Sequence, residues 1–183
     1  MNLIVSDDFK TISLISDTTD ANTDHPLVEV YVNQVLTYTL VVGGTATIGG
    51  TVYTTTTGAD NADFASTTTT TGTKFIHNLT AATLTTGTGT VLTDGVWAIK
   101  FISSTGTTVF YKGVIIHDVI DACIMDRLDP ACDGTCSLEK IIDEANKLYG
   151  LLYSAKISAK KGEFTNAQCK YNIASTLCSK CHV

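Results

Sequence analysis

The side chains best suited to chemistry in this chain are its six cysteines, which all lie after residue 120. Two close pairs that are far apart in the sequence are the usual plan of a tetrahedral zinc site. The first pair has three residues between its members and the second has two. The candidate zinc ligands are therefore Cys132, Cys136, Cys178 and Cys181.

Two other states of the cysteines are open. Cys178 and Cys181 continue the apolar stripe of a predicted last helix, so buried thiols explain them without a metal. Disulfides are the third alternative, and counting along the predicted helices places Cys123 near the terminal pair. Because we expect a reducing cytosol, the sequence favours reduced structural thiols. Cys169 is predicted to be a buried or half-buried thiol with no further role.

The sequence contains no pattern that announces an enzyme. His25, His77 and His117 stand in contexts typical of ordinary surface or core histidines, and no Ser/His/Asp arrangement surrounds them. The paired glycines at 43–44 and 49–50 lack the Lys-Ser/Thr and the helix of a phosphate loop. We therefore predict a non-enzymatic protein with no catalytic or cofactor-binding residues.

Charge and hydropathy argue against two classes of partner. The chain has 12 Lys and Arg against 18 Asp and Glu, a net charge of −6, and no basic cluster. Specific nucleic-acid binding needs such a cluster, so we do not expect it. No apolar run approaches the length that spans a bilayer, and the first residues lack the features of a signal peptide. We expect no membrane partner.

Residues 1–117 have the pattern of an antiparallel β protein. Charged residues make up only 16% of the chain, and Thr, which suits exposed strands, takes much of their place. A hairpin is predicted over 27–42, with its turn at Asn33 and Gln34. Asp94 and Gly95 introduce a second strand pair. Short strands separated by Gly turns predict a sandwich of immunoglobulin-like shape, and the Thr-rich segment 54–73 is predicted to be exposed strand or loop.

Residues 118–183 have the pattern of helices. A short helix over 118–128 has Val119 on its apolar face and ends before Pro130. A second helix follows the predicted N-cap Ser137. It carries an apolar stripe and ends at Gly162. The predicted stripe contains Leu138, Ile141, Ile142, Ala145, Leu148, Tyr149 and Leu152.

A third helix follows a very short link. Thr165 and Gln168 have the spacing of a capping box at its start. Because only Gly162 and Glu163 separate the last two helices, we expect them to form an antiparallel hairpin. The predicted fold class is therefore α+β: an N-terminal antiparallel β-sandwich domain at 1–117, then a Cys-containing domain at 118–183, in which a short helix precedes a helical hairpin.

Three segments carry a family resemblance. Residues 94–101 read DGVWAIKF and lead on to Cys123, a loop holds Cys132 and Cys136, and Cys178 and Cys181 close the chain. In these segments and in its two-part plan, the chain resembles virion structural proteins of tailed phages, and it is most similar to small proteins of the crAss-like phages. In that family a β-sandwich precedes a Cys-containing helical hairpin.

The resemblance implies a subunit of an oligomeric ring in the neck or tail of a tailed phage. Such a ring joins portal and tail components. The implied partners are other copies of the chain in a twelvefold ring, the portal, and other neck or tail ring proteins. The implied location is the virion, which is assembled in the host cytoplasm. The family implies no catalytic residues.

Two other functions are open. One is a β-sandwich binding module, an adhesin or carbohydrate-binding domain, with a helical appendage. Such modules expose aromatic side chains, whereas Trp97 lies in an apolar run typical of a core. The other is a small enzyme or redox protein that uses the terminal cysteines.

Overall fold

The structure, a computed structural model, describes residues 2–16, 27–41, 44–56, 75–80, 92–128 and 138–179. These residues form antiparallel β-sheets followed by three helices, so the chain is a mixed α+β protein. The predicted connection after β2, most of the Thr-rich segment and the predicted N-cap Ser137 lie outside the described residues.

The described strands form two sheets and a two-stranded ribbon. The first sheet has the order β1-β2-β7, the second has the order β4-β3-β8-β9, and β5 pairs with β6 in the ribbon. The strands are β1 Asn2–Val5, β2 Thr11–Ser16, β3 Leu27–Val32, β4 Val35–Val41, β5 Thr45–Ile48, β6 Thr51–Thr54, β7 Phe75–Thr80, β8 Gly95–Ile102 and β9 Thr108–Ile116.

The predicted hairpin over 27–42 is confirmed. β3 and β4 pair antiparallel, and the residues between them, Asn33 and Gln34, have φ angles of 50° and 68°. Two successive left-handed residues make the tight turn that matches the twist of a hairpin. The second predicted strand pair is also present, since β8 and β9 pair antiparallel along most of their length.

One face of the four-stranded sheet packs into an apolar cluster. Alternate residues of β3, Val28 and Val30, join Trp97 and Ile99 of β8. Leu3 and Ile12 of the first sheet belong to the same cluster, which also holds Leu92. Trp97 is 1% exposed, as its apolar context predicts, and its indole N–H donates a hydrogen bond to the Thr93 carbonyl at 2.7 Å.

The opposite face of the same sheet is covered at both of its ends. At one end Leu27 and Ile102 pack with Ile48 of the ribbon. At the other end Val96 and Ile115 pack against the helices. Between the two covered ends lie the side chains of Glu29, Tyr31, Lys100 and Tyr111, which share this face through the strand register.

The helices are α1 Asp118–Leu128, α2 Leu138–Lys161 and α3 Phe164–Ser179. Gly162, with φ of 81°, ends α2 as predicted. Its N–H donates to the Ala159 carbonyl at 3.0 Å, and the Glu163 N–H donates to the Ser158 carbonyl at 2.9 Å. These two bonds form a Schellman motif, which satisfies carbonyls that the helix end leaves free.

The buried faces of α1 and α2 are narrower than predicted. Val119 is 63% exposed on α1, and Ile142 and Tyr149 are 45% and 47% exposed on α2. Against the sheet and α3, α2 buries one apolar row at steps of four and three, with Ser158 buried beside it. The buried row consists of Leu148, Leu152, Ala155 and Ala159. The apolar residues of α2 therefore exceed what its own chain covers.

The helices and the sheet share one of the apolar clusters. Val96 and Ile115 lie before the predicted boundary at 117, and they pack with Ile120 and Leu152 beyond it. The change from strand to helix does occur at that boundary, between Ile116 and Asp118. The division into two domains stays a prediction.

Candidate functional site

Of the three cysteines that the structure describes, two lie together. Cys123 on α1 and Cys178 on α3 form a disulfide, with Cα atoms 6.2 Å apart and a sequence separation of 55. Both are buried. The expectation that Cys123 lies near the terminal pair is confirmed for Cys178. For Cys123 and Cys178, the structure therefore has a disulfide, whereas the sequence favours reduced thiols.

Of the four predicted zinc ligands, the structure describes one, Cys178. Cys132, Cys136 and Cys181 lie outside the described residues, and Cys178 is bonded to Cys123. Zinc binds the thiolate, so zinc at Cys178 and the bond to Cys123 exclude each other. No group of three or more His, Cys, Asp or Glu side chains among the described residues could hold a metal. The zinc site stays a prediction.

Cys169 is exposed, so the prediction of a buried or half-buried thiol is wrong. On α3 the buried row contains Ala167, Tyr171, Ala174 and Cys178. Residue 169 lies two positions after the first member of that row, which turns its side chain away from α2. It borders a shallow apolar groove on α3 with Ile173 and Leu177.

A cleft opens where the middle of the four-stranded sheet meets the start of α3. It has a volume of about 290 Å³. Tyr31, Tyr111 and Phe164 provide its aromatic wall, and the backbone at Gly162 closes one side. The rings of Tyr111 and Phe164 lie 4.5 Å apart, and those of Tyr31 and Tyr111 lie 6.0 Å apart.

An ion pair lies beside the aromatic wall. The Lys100 Nζ atom is 2.9 Å from the Glu29 Oε2 atom, and the Tyr31 hydroxyl donates to the same oxygen at 2.9 Å. These residues face one another because β3 and β8 place Glu29 opposite Lys100. The sequence did carry a signal for this pair, because Glu29 is the single acid of apolar β3 and Lys100 is the single base of apolar β8. The sequence prediction did not include it.

Both tyrosines of the cleft hold their protons tightly. Burial, followed by the hydrogen bond to Glu29 and the charge of that carboxylate, raises the pKa of Tyr31 to about 12. Burial also raises the pKa of Tyr111 above its ordinary value. Their hydroxyls therefore stay neutral at physiological pH and act as hydrogen-bonding groups.

Asp94 joins the sheet to two helices. Its Oδ2 atom accepts a hydrogen bond from the Val119 N–H at 3.1 Å, at the start of α1, and one from the Tyr171 hydroxyl at 3.5 Å on α3. Burial raises the pKa of Asp94 above its ordinary value, and burial with the Asp94 charge raises that of Tyr171. The sequence predicted a turn at Asp94 and Gly95 and missed this connection.

The turn between β3 and β4 binds the start of α3. The Asn33 Oδ1 atom accepts hydrogen bonds from the Val96 N–H at 3.0 Å and from the Gln168 Nε2 atom at 3.1 Å. Thr165 lies inside the first turn of α3, and its hydroxyl is 3.4 Å from the Gln34 Oε1 atom. The predicted capping box at Thr165 and Gln168 is therefore wrong, because both side chains contact the hairpin turn instead.

His117 is the histidine whose side chain the structure describes. Its Nδ1 atom lies 3.0 Å from the Asp121 Oδ1 atom, one turn along α1, and its ring meets the edge of Phe9 at 4.8 Å between centroids. The pair connects the residue before α1 to the first turn of that helix. That His117 is an ordinary histidine stays a prediction.

The groups in and beside the cleft carry little net charge. The Glu29 carboxylate and the Lys100 ammonium group beside the aromatic wall neutralise each other, and the tyrosines of the cleft stay protonated. What remains is aromatic surface beside hydroxyl and amide groups, which suits contact with an uncharged polar molecule or with another protein surface.

No protein-family model, curated protein or solved structure matches the chain. Within the residues that the structure describes, none of the helices is both long enough and apolar enough to cross a membrane.

Proposed function

We propose that the chain is a non-enzymatic virion structural protein, a ring subunit in the neck or tail of a tailed phage. It joins portal and tail components, and its partners are other copies of itself and neighbouring ring proteins. The family resemblance supplies this identity. The geometry supports it because separate apolar surfaces lie at opposite ends of the four-stranded sheet.

The proposal includes a β-sandwich with an immunoglobulin-like shape and a helical hairpin. Support for the sandwich is the apolar cluster that mixes Leu3 and Ile12 of one sheet with Val28 and Ile99 of the other. Support for the hairpin is the short link after α2 and the contact across it, where the Lys170 Nζ atom donates to the Ser158 hydroxyl at 3.0 Å.

The observation that carries the proposal is the exposure of valines at both ends of the four-stranded sheet. Val35 and Leu36, after the hairpin turn, are 64% and 47% exposed. Val109, at the other end, is 50% exposed, and Val52 of the ribbon that covers this end is 65% exposed. The strand register sets the two surfaces a strand length apart, since Val32 pairs with Val35 and Leu27 pairs with Ile102.

Two unlike surfaces at opposite ends are what a ring contact requires. In a ring, one face of each subunit meets a different face of the next, so the contact repeats until the circle closes. Burial of exposed valines and leucines at each contact then provides the driving force.

The first test is whether the protein occurs in particles. Virions purified from infected cells should contain the chain at a multiple of the ring symmetry, measured by quantitative mass spectrometry, and electron microscopy should show it in the neck or tail. Absence from purified virions would remove the proposal.

The second test separates a ring contact from a twofold contact. In an assembly reaction with the neighbouring ring proteins, Val35→Asp and Val109→Asp should each prevent ring formation. A mixture of the two variants still contains one compatible pair of faces, so it should stop at pairs of subunits. Val119→Asp, at an exposed site on α1, is the matched control and should assemble normally. Ring formation by either single variant would contradict the proposed contact.

The alternative is a carbohydrate-binding module or adhesin, and the aromatic cleft is the observation that favours it. Tyr111 is 38% exposed beside the hydroxyl of Tyr31 and the amide of Gln34. Sugars bind on aromatic surface flanked by such groups. A glycan array should then give hits that Tyr111→Ala removes and Tyr153→Ala, at an exposed site on α2, retains. An array without hits would remove this alternative.

A further inference from the structure

The outward face of α2 carries an apolar row that its own chain does not cover. Ile142, Tyr149, Tyr153 and Ile157 follow one another at steps of seven, four and four, which places them on one side of a helix. Their exposed fractions are 45%, 47%, 68% and 37%. The buried row of the same helix faces the sheet and α3, so α2 has two apolar sides.

A second row beside the first has a different composition. Asp143, Gly150, Ser154 and Lys161 follow at steps of seven, four and seven. A Cβ atom added at Gly150 would meet nothing within 4 Å, so no contact inside the chain requires a glycine there. Glycine in a helix interior costs about 1 kcal/mol relative to alanine. A close approach by another backbone would explain why a small residue stands at this exposed position.

The second row is complementary to itself when it is reversed. It runs from an acid through two small residues to a base, and the midpoint of Asp143 and Lys161 is also the midpoint of Gly150 and Ser154. Within the described part of the chain, no ion pair involves Asp143 or Lys161. An antiparallel copy of α2 would set each acid against a base and each small residue against a small residue.

We propose that α2 pairs with α2 of a second copy of the chain, antiparallel and about a twofold axis near residue 152. The apolar rows of the two helices pack together, and the small residues let the backbones approach. Asp143 of each copy pairs with Lys161 of the other. This goes beyond the proposed function, because a ring contact joins unlike faces and this contact joins like faces. Either can hold without the other.

A substitution at Gly150 provides the sharpest test, because it should not destabilise the folded chain but should weaken the dimer. Gly150→Leu should raise the melting temperature of the chain or leave it unchanged, since leucine favours helix and the space is open. The same change should weaken the dimer about tenfold or more, because a large side chain prevents the close approach. Sedimentation velocity over a concentration series measures the dissociation constant, and thermal unfolding monitors the fold.

A charge exchange tests the antiparallel direction. Asp143→Lys and Lys161→Asp should each weaken the dimer about threefold to tenfold, since each sets like charges together at two symmetric places. The double variant should restore wild-type affinity. Ile173→Glu, at an exposed site on α3, is the matched control and should leave the dimer unchanged.

The outcomes that overturn the proposal are specific. A wild-type chain that remains monomeric at high micromolar concentration overturns it, and so does a dimer that Gly150→Leu does not weaken. Failure of the double charge variant to recover would overturn the antiparallel register. A dimer formed through the exposed Cys169 is recognised because Cys169→Ser abolishes it, and that result also counts against the proposal. Presence or absence of the chain in virions does not affect any of these readings.

Discussion

The four-stranded sheet and the long helix α2 differ in how much of their apolar surface the chain itself covers. Most of the apolar surface of the sheet is covered, by the cluster around Trp97 on one side and by the helices and the ribbon on the other. Its exposed valines, Val35 and Val109, lie near strand ends. α2 is apolar on two sides, and only the side with Leu148 and Leu152 is covered. Side-chain periodicity shows where apolar residues lie, and the neighbouring layers decide which of them are buried.

The largest expected effect is in the core of the sheet. Trp97→Ala should lower the free energy of unfolding by about 3–5 kcal/mol, because it removes a buried indole that stacks on Tyr38 and leaves a cavity. Chemical denaturation followed by circular dichroism measures the loss.

Since sheet and helices share a cluster, both should unfold in one transition. Helices that remain folded after the sheet unfolds would show that the two parts are independent. Val119→Ala, at an exposed site, should change stability by less than about 0.5 kcal/mol.

Loss of the disulfide should have the next effect, and it acts within the helical part. The double variant Cys123→Ser, Cys178→Ser should lower the free energy of unfolding by about 2–4 kcal/mol, because the unfolded chain is no longer crosslinked. Cys169→Ser is the control and should have almost no effect.

The same cysteines provide a test of the zinc prediction. Protein purified under reducing conditions without chelator should carry zinc in near-stoichiometric amount if Cys132, Cys136, Cys178 and Cys181 form the predicted site. Clearly sub-stoichiometric zinc would end that prediction. Zinc binding that survives Cys178→Ser but requires the other three would limit the site to them.

Substitutions at two glycines, Gly113 in the sheet and Gly150 in α2, compare how closely the two regions are packed. A Cβ atom at Gly113 would lie 2.6 Å from the Trp97 carbonyl oxygen and 2.9 Å from the Phe164 ring, whereas one at Gly150 would meet nothing within 4 Å. Gly113→Ala should therefore destabilise the fold by about 1–3 kcal/mol, and Gly150→Ala should stabilise it by up to about 1 kcal/mol. Thermal unfolding gives both values. Equal effects at the two sites would contradict the close packing of helices on the sheet.

The smallest effect is a pH dependence of the cleft. The pKa of Tyr31 is raised to about 12 in the folded chain against about 10 when unfolded. The unfolded state loses this proton first, so the contribution of Tyr31 is fully present below about pH 10 and is lost as pH rises towards 12. Tyr31→Phe should show a shallower loss of stability across that window than the wild type. An identical pH profile would contradict the buried hydrogen bond to Glu29.

Sequence patterns predicted the elements whose signals are local. The turn at Asn33 and Gln34, the strand pair after Gly95 and the end of α2 at Gly162 all follow from the conformational demands of a few adjacent residues. The capping box at Thr165 and Gln168 failed for the opposite reason. Its spacing was right, but the hairpin turn, more than 130 residues away, offered those side chains other partners.

The candidate site could be predicted only in part. Cysteine spacing pointed to the end of the chain, and helix counting brought Cys123 towards it, but neither could select Cys178 as the partner. The cleft around Tyr31 and Tyr111 depends on strand register and on where α3 begins. Those are relations between distant segments, which the spacing of residues within one segment does not specify.

What the sequence by itself determined is the succession of strands and helices, because turns, caps and periodicity act over a few residues. Tertiary structure alone decided which apolar side chains are covered, which cysteines are bonded, and that Asp94 links the sheet to two helices. The physical reason is that burial and pairing depend on surfaces that meet across long stretches of chain. Tyr153, for example, has a large aromatic side chain, but its position on α2 leaves that side chain exposed.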